Sequence, residues 1–176
     1  MLRRGLALAA VLMSAACAQS GNPGQPAPDV LPAAPWSAAA APAASVPPIY
    51  LDVWNKAANK GSCALVALTQ HGQSNATPRA ASFSGGWAVA YDLPNLRSAF
   101  GIAGSGADPG GNIYDAWPHK RAWSDGSSAG YGPEGGTGPN QLAYLRIAEQ
   151  ECLYNVWSRI SVQHLESLLD GIRFVR

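Results

Sequence analysis

Charged residues are scarce in this chain of 176 residues. Asp, Glu, Lys and Arg together make up 13% of it, with 12 Lys and Arg against 11 Asp and Glu. Proteins that hold nucleic acid or anionic lipid electrostatically need a surplus of basic residues on one surface. A formal net charge of +1 offers no such surplus. The composition therefore speaks against nucleic acid as a partner and against a polybasic patch as a means of membrane attachment.

Signatures of several common enzymes are also missing. The chain has no H-E-x-x-H run of a metalloprotease and no P-loop for nucleotide phosphates. Ser84 and Ser105 stand beside glycines, but neither completes the G-x-S-x-G of a serine hydrolase, and Pro109 replaces the third glycine that a dinucleotide fingerprint around Ser105 would need. Cys63 and Cys152 lie outside any C-x-x-C pair, which disfavours zinc and redox motifs. We therefore predict no catalytic residue, no cofactor and no metal.

What is present begins with an export signal. Two arginines, Arg3 and Arg4, precede an uncharged and mostly apolar run over residues 5–16, and Cys17 follows. A positive start, an apolar stretch too short for a permanent span and small residues at its end are typical of a secretory signal. The ending Ser14-Ala15-Ala16-Cys17 resembles the signal of a bacterial lipoprotein. That resemblance implies cleavage before Cys17, a lipid on this cysteine and membrane attachment through the acyl chains.

The processing site has an alternative. Ser14 stands where lipoprotein signals usually carry a large aliphatic residue, and Ala16-Cys17-Ala18 also fits the A-x-A site of the ordinary signal peptidase. We favour lipidation, because a cysteine at the end of the apolar run is otherwise an odd choice in a secreted protein. By the same resemblance, Ala18 after the cysteine implies sorting to the outer membrane of the bacterial envelope, with the domain in the periplasm.

The residues after the signal have the composition of a linker. Residues 18–47 hold ten alanines, seven prolines and one charged residue, Asp29. Proline at this density breaks helices, and small side chains bury too little apolar surface to offset the entropy of ordering. We predict three parts: a signal peptide over residues 1–16, a lipid-anchored disordered linker over residues 17–47, and one globular domain over residues 48–176.

The periodicity of the domain predicts an α+β fold. Apolar spacing indicates helices over residues 49–60 and after Ser161, and strands over residues 63–69, 80–84, 87–91, 96–103, 142–147, 152–157 and 173–175. Strands that follow one another through short turns pair as hairpins. We therefore expect a mostly antiparallel sheet with about two helices, after the Ala/Pro-rich linker.

Cys63 and Cys152 remain once Cys17 carries the lipid. Two cysteines in an oxidising envelope compartment most often pair, so we predict a disulfide between them. The alternative is two separately buried thiols.

Residues 101–138 are the most unusual part of the domain. They include eleven glycines and few aliphatic side chains, which predicts an irregular loop. The candidate ligand-binding residues are the four large rings of this segment: Tyr114, Trp117, Trp123 and Tyr131. Such rings can stack on sugars or bury against a partner. The alternative is that they cover the sheet. The tryptophans on regular elements are expected in the core: Trp54, Trp87 and Trp157.

These observations favour binding over catalysis. The first hypothesis is a non-enzymatic lipoprotein domain that binds a protein or a peptidoglycan or other glycan ligand. The alternative is a small envelope hydrolase that uses a loop histidine, His71 or His119, as its base. His164 is expected on the solvated side of the last helix. An exposed aromatic face would favour the binder, and a cleft joining a serine or carboxylate to either loop histidine would favour the enzyme.

The signal generates the first prediction. We expect a thioether-linked diacylglycerol on Cys17, detectable by mass spectrometry of the mature N-terminus. Cys17→Ser should move the folded domain from the membrane to the soluble fraction. A mature wild-type chain that begins at Gln19, or that is soluble without detergent, would rule the anchor out.

Overall fold

The sheet is the largest element of the domain. The computed structural model describes residues 30–83, 85–106, 116–136 and 140–176. Seven antiparallel strands lie in the order β2-β3-β4-β8-β7-β6-β5, and β1 and β9 form a separate antiparallel pair. The strands are β1 (Val66–Leu68), β2 (Thr77–Ala80), β3 (Trp87–Leu93), β4 (Leu96–Gly104), β5 (His119–Ala122), β6 (Ser128–Pro133), β7 (Gln141–Arg146), β8 (Leu153–Ser158) and β9 (Ile172–Phe174). With helices α1 (Ile49–Lys56) and α2 (Val162–Asp170), this confirms the predicted α+β class.

Helix α2 forms where its sequence pattern predicts. The Ser161 side chain accepts a hydrogen bond from the His164 amide and caps the first turn, while Leu165, Leu168 and Leu169 are fully buried. The helix ends at Gly171, where a Cβ atom would lie 2.3 Å from the carbonyl oxygen of Gln70. Only glycine allows β9 to start this close to the end of β1.

One face of the sheet carries the hydrophobic core. We call it the covered face, because α1, α2 and the β1–β9 pair pack on it. Alternate residues of five strands point to this side, namely Trp87, Val89, Tyr91, Phe100, Ile102, Tyr154, Val156, Ala143, Leu145, Ala129 and Tyr131, and all are buried in one cluster with the three leucines of α2. In its centre the Tyr50 hydroxyl of α1 accepts hydrogen bonds from the Tyr91 hydroxyl and from the Leu68 amide. The core is therefore a single layer between the sheet and its helices.

The glycine-rich segment contains a hairpin that the sequence did not reveal. Strands β5 and β6 pair from His119↔Tyr131 to Ala122↔Ser128, so the expectation of an irregular loop is wrong for these residues. Glycine is disfavoured in strands unless a neighbour needs the space of its side chain. Gly132 meets that condition, because a Cβ atom there would lie 2.5 Å from the ring of Pro118. Packing against the sheet thus outweighs local propensity.

The predicted linker is shorter than expected at its C-terminal end. Residues 34–46 pack on the domain through short 3₁₀ turns and a parallel bridge between Ala41 and Val175. Trp36, 4% exposed, donates a hydrogen bond of 2.8 Å to the Asp125 carboxylate and lies 4.9 Å, centroid to centroid, from Trp123. The boundary predicted at residue 47 therefore moves towards Ala34. The signal, Cys17 and linker residues up to 29 lie outside the described residues.

The cysteine pairing is confirmed. The sulfur atoms of Cys63 and Cys152 are 1.99 Å apart and their Cα atoms 4.9 Å apart. The bond spans 89 residues of sequence and ties the segment before β1 to the start of β8. Cross-linking over so long a loop restricts the unfolded chain strongly.

Loss of this disulfide should therefore destabilise the domain. In the Cys17→Ser background, Cys63→Ala combined with Cys152→Ala should lower the free energy of unfolding by about 3 kcal/mol, measured by urea denaturation. Reduction of the Cys17→Ser protein should have a similar effect. Two alkylatable thiols in native protein taken from the envelope would contradict the pairing.

Candidate functional site

The four predicted ligand-binding rings do not share one surface. Trp123 is 1% exposed and Tyr131 6% exposed, and both belong to the core cluster, so their prediction as ligand contacts is wrong. Trp117 is half-buried on the opposite side of the sheet, against Tyr144. Tyr114 lies outside the described residues. Of the three predicted rings that the structure describes, Trp117 is the one that a ligand could reach.

The two buried rings have structural partners. The Tyr131 hydroxyl donates to a Glu166 carboxylate oxygen of α2 at 2.8 Å, and its ring stacks on His119. Burial and the nearby Glu166 carboxylate raise the pKa of Tyr131 to about 12. The Arg121 guanidinium carbon lies 5.2 Å from the Trp123 ring centroid. Both rings therefore join the β5–β6 hairpin to the rest of the core.

The second face of the sheet is the better candidate. Strand registers align Ala88, Ala103, Asn155, Tyr144 and Gly130 in one row, and Ala90, Gly101, Trp157, Leu142 and Gly132 in the next. We call this surface the open face, because the two helices of the described chain pack on the other side. Large aromatic side chains stand there beside alanine and glycine, so the surface has projecting rings with shallow depressions between them.

A cavity of about 550 Å³ lies on the open face. We call it the trough. Its apolar lining consists of Ala81, Phe83, Ala88, Leu142, Tyr144 and Trp157, with Asn155 between the last two rings. Phe83 is 39% exposed, and Tyr144 and Trp157 are half-buried. Half-exposed rings beside small residues leave apolar surface available to a ligand.

Trp157 is held flat against its neighbouring strand. A Cβ atom at Gly101 would lie 2.2 Å from the Trp157 ring, so the indole occupies the space that a side chain at Gly101 would fill. Its Nε1 donates to the Ser98 carbonyl oxygen at 3.3 Å. A ring fixed at one edge and supported on one face can offer its other face for stacking.

A small polar cluster positions the Ser98 carbonyl. Ser98 has a left-handed backbone conformation, φ 50°, which is strained for a residue with a side chain. Its amide donates to Asp92 Oδ1 at 2.6 Å, and the Arg79 guanidinium binds both Asp92 and the Ser98 hydroxyl. The Ser98 amide, followed by Arg79, lowers the pKa of Asp92. The ionised carboxylate thus stabilises the bend on which Trp157 rests.

Polar side chains surround the trough. Asn155 Nδ2 donates to the Ser105 hydroxyl at 2.8 Å, and that hydroxyl donates to the Leu153 carbonyl, which fixes the Asn155 amide in the row of Tyr144. At the other end, Arg159 donates to the Asn140 side-chain oxygen at 3.2 Å and to the Arg97 carbonyl. Further rim residues are Glu134 and Gln141. The rim is mostly amide and hydroxyl, with one charge of each sign.

The histidines are occupied in structural contacts. His164 is half-buried rather than solvated, which corrects the expectation for α2: its Nε2 lies 3.0 Å from the His71 carbonyl oxygen and its Nδ1 2.9 Å from the Ser158 hydroxyl. A carbonyl only accepts, so Nε2 carries the proton and Nδ1 accepts from Ser158. Burial lowers the pKa of both His71 and His164. The Ser158 side chain is fully buried, so this serine–histidine contact is closed to a substrate.

The sequence also contains two glycine patterns that match enzyme motifs and did not enter the predictions. Residues 126–130 match G-x-S-x-G at Ser128, and residues 130–135 match G-x-G-x-x-G. Both chemistries require a strand followed by a helix. Here the patterns lie in β6 and the turns around it, and Ser128 pairs with Arg146 of β7. The antiparallel context therefore leaves both as coincidental matches.

The described ranges hold neither a metal-binding cluster nor a membrane-spanning helix. No group of three or more His, Cys, Asp and Glu side chains in these ranges could hold a metal ion. No helix in the same ranges has the length and apolar character to cross a membrane.

The sequence carries a signal for the open face that did not enter the predictions. In β8 the order Tyr154-Asn155-Val156-Trp157 places large side chains on both faces, and in β7 Leu142 and Tyr144 alternate with buried Ala143 and Leu145. A strand with one solvated face would alternate apolar and charged residues instead. Trp157 points to the open face and is half-exposed, so the expectation that it lies in the core is wrong. Trp54 of α1, also expected in the core, is half-exposed too.

Comparison with known proteins adds no relative to this picture. No protein-family model, curated protein or solved structure matches this chain.

Core and surface rings should respond differently to truncation. Trp123→Ala should lower the free energy of unfolding by about 3 kcal/mol or more, because it empties a buried site against Trp36. Trp117→Ala should cost about 1 kcal/mol or less, because its ring is partly exposed. Urea denaturation followed by circular dichroism measures both. A loss below 1 kcal/mol for Trp123→Ala would contradict its place in the core.

Proposed function

We propose that the chain is a lipid-anchored, non-catalytic domain of the bacterial envelope that binds a protein or glycan ligand through the open face. The supporting observation is the trough: rings of Phe83, Tyr144 and Trp157 stand half-exposed beside alanine and glycine on a rigid sheet. Exposed apolar surface rimmed by polar groups commonly marks an interaction site. The signal and Cys17 supply the proposed location at the outer membrane.

The sheet gives this surface its stiffness. Trp157 and Tyr144 belong to β8 and β7, which lie near the middle of the seven strands and pair over six registered positions. Side chains on central strands lose little further freedom when a ligand binds, so the entropic cost of binding is low. A pre-formed surface of this kind suits recognition.

The alternative, a small hydrolase with a loop histidine as base, has weaker support. The His71 ring packs on Tyr91 and Phe100, and its Nδ1 accepts a hydrogen bond from the Gln73 amide. His119 stacks on Tyr131. A general base needs a free nitrogen facing a nucleophile or water in a cleft. The contacts of these two histidines instead serve the covered face and the hairpin.

A second cavity offers a less favourable surface. It has a volume of about 680 Å³ and lies between the Trp36 turn, α1 and the turn before β8. Trp36 and Asp125, two of its lining residues, already bond to each other. The Gln150 side-chain oxygen there accepts from the Ala64 amide. These polar groups are thus committed within the protein, and the Trp36 ring beside them is only 4% exposed, whereas Phe83 in the trough is 39% exposed.

Site-specific photo-crosslinking in the host tests the proposed surface. A photoreactive phenylalanine analogue at Tyr144 should form adducts with an envelope component, and the same analogue at the exposed Gln163 of α2 should not. Adding Trp157→Ala should reduce the Tyr144 adducts several-fold, because the neighbouring ring is lost. Equal adducts from both positions, or none from Tyr144, would refute the open face as the binding surface.

A further inference from the structure

We infer that the trough binds an oligosaccharide of N-acetylated sugars, such as the glycan strand of peptidoglycan. This inference rests on the proposed function of the open face and names its ligand class. Three properties of the trough support it: its size, its fixed ring and the chemistry of its rim.

The size of the trough suits a small ligand. Its volume of about 550 Å³ falls within the range of about 300–1,000 Å³ typical of sites that enclose small molecules. A stable protein interface needs about 800 Å² on each partner and a broad surface. A concave site between Phe83 on one side and Tyr144 on the other fits a short stretch of a linear chain better than a protein face.

The rings are arranged as a platform. Trp157 lies against Gly101 and is tied to the Ser98 carbonyl, so one indole face is supported by the sheet. Tyr144 lies one strand away and one row along, and diagonal neighbours in a sheet are about 7–8 Å apart at their Cα atoms. Two rings at this separation can each stack on the apolar face of a sugar ring.

The rim matches acetamido and hydroxyl groups. Asn140 and Gln141 carry side-chain amides, which both donate and accept hydrogen bonds, as the acetamido group of a sugar does. Among the residues that the structure describes, the charges at the rim are Glu134 and Arg159, one of each sign. A polyanion such as nucleic acid would need a basic surface, which the trough does not supply.

The test titrates the secreted Cys17→Ser protein with defined glycans. The probes are peptidoglycan glycan strands freed of stem peptides, chitotetraose, and an unacetylated glucan of the same length, and binding is followed by tryptophan fluorescence and calorimetry. We expect the two acetylated probes to bind. Trp157→Ala should lower the affinity for both about tenfold or more, because the stacking surface is lost. The unacetylated glucan should bind more weakly than either.

The matched control is Trp54→Ala. Trp54 is also half-buried and also donates its indole N–H to a carbonyl, that of Cys63, but it lines the second cavity. The glycan affinity of this variant should lie within about twofold of that of the parent protein, a change too small to reflect a lost stacking contact. If Trp157→Ala fails to fold, Tyr144→Ala removes the other ring of the platform and should give a similar loss.

The outcomes separate the two levels of the proposal. Absence of binding to acetylated glycans, together with Tyr144-specific crosslinks to a protein, would overturn the glycan inference and leave the proposed function standing. Tighter binding of the unacetylated glucan would also overturn it. Glycan binding that Trp157→Ala and Tyr144→Ala leave unchanged would place the site elsewhere. Neither glycan binding nor a Tyr144 adduct would remove both proposals.

Discussion

Two short helices can cover only one face of a seven-stranded sheet, and the rest of the structure depends on this constraint. Helices of eight and nine residues are about 12–14 Å long, whereas seven strands are about 30 Å across. The covered face collects the large aliphatic and aromatic core. The open face must limit its own apolar exposure, and it does so with alanine, glycine and rings laid against the sheet. The trough is a consequence of that solution.

The covered face itself exceeds the reach of the helices. Beyond α2 the β5–β6 hairpin is held by Tyr131 through Glu166, while Trp123 at its turn is covered by Trp36 from the N-terminal segment. A tract rich in alanine and proline therefore contributes one large ring to the core. The same segment bridges to Val175 beside β9, so both ends of the domain close over one side of the sheet.

Two carboxylates of the described chain help to fix aromatic rings. Asp125 accepts from the Trp36 indole, and although burial alone would raise the pKa of Asp125, hydrogen bonds from Ser127 and Trp36 outweigh it and lower the pKa. Asp92, with Arg79, holds the bend whose carbonyl binds Trp157. A protein with little charge can thus place its rings accurately, because each carboxylate acts on a local donor rather than through a long-range field.

Local patterns in the sequence determined much of this protein. The capped leucine stripe of α2, the alternation in β3, β4, β7 and β8, and the parity of Cys63 and Cys152 predicted the class of the fold and its cross-link, because periods of 3.6 and 2 reflect local geometry. Tertiary structure alone decided which face of each strand is covered. Trp123 became core because Trp36, 87 residues earlier, lies on it, and Trp157 became surface because no helix of the described chain reaches the open face. Gly132 has its place in β6 because the Pro118 ring occupies the space that a side chain there would fill. Burial of a ring depends on partners distant in sequence, and no local period encodes them.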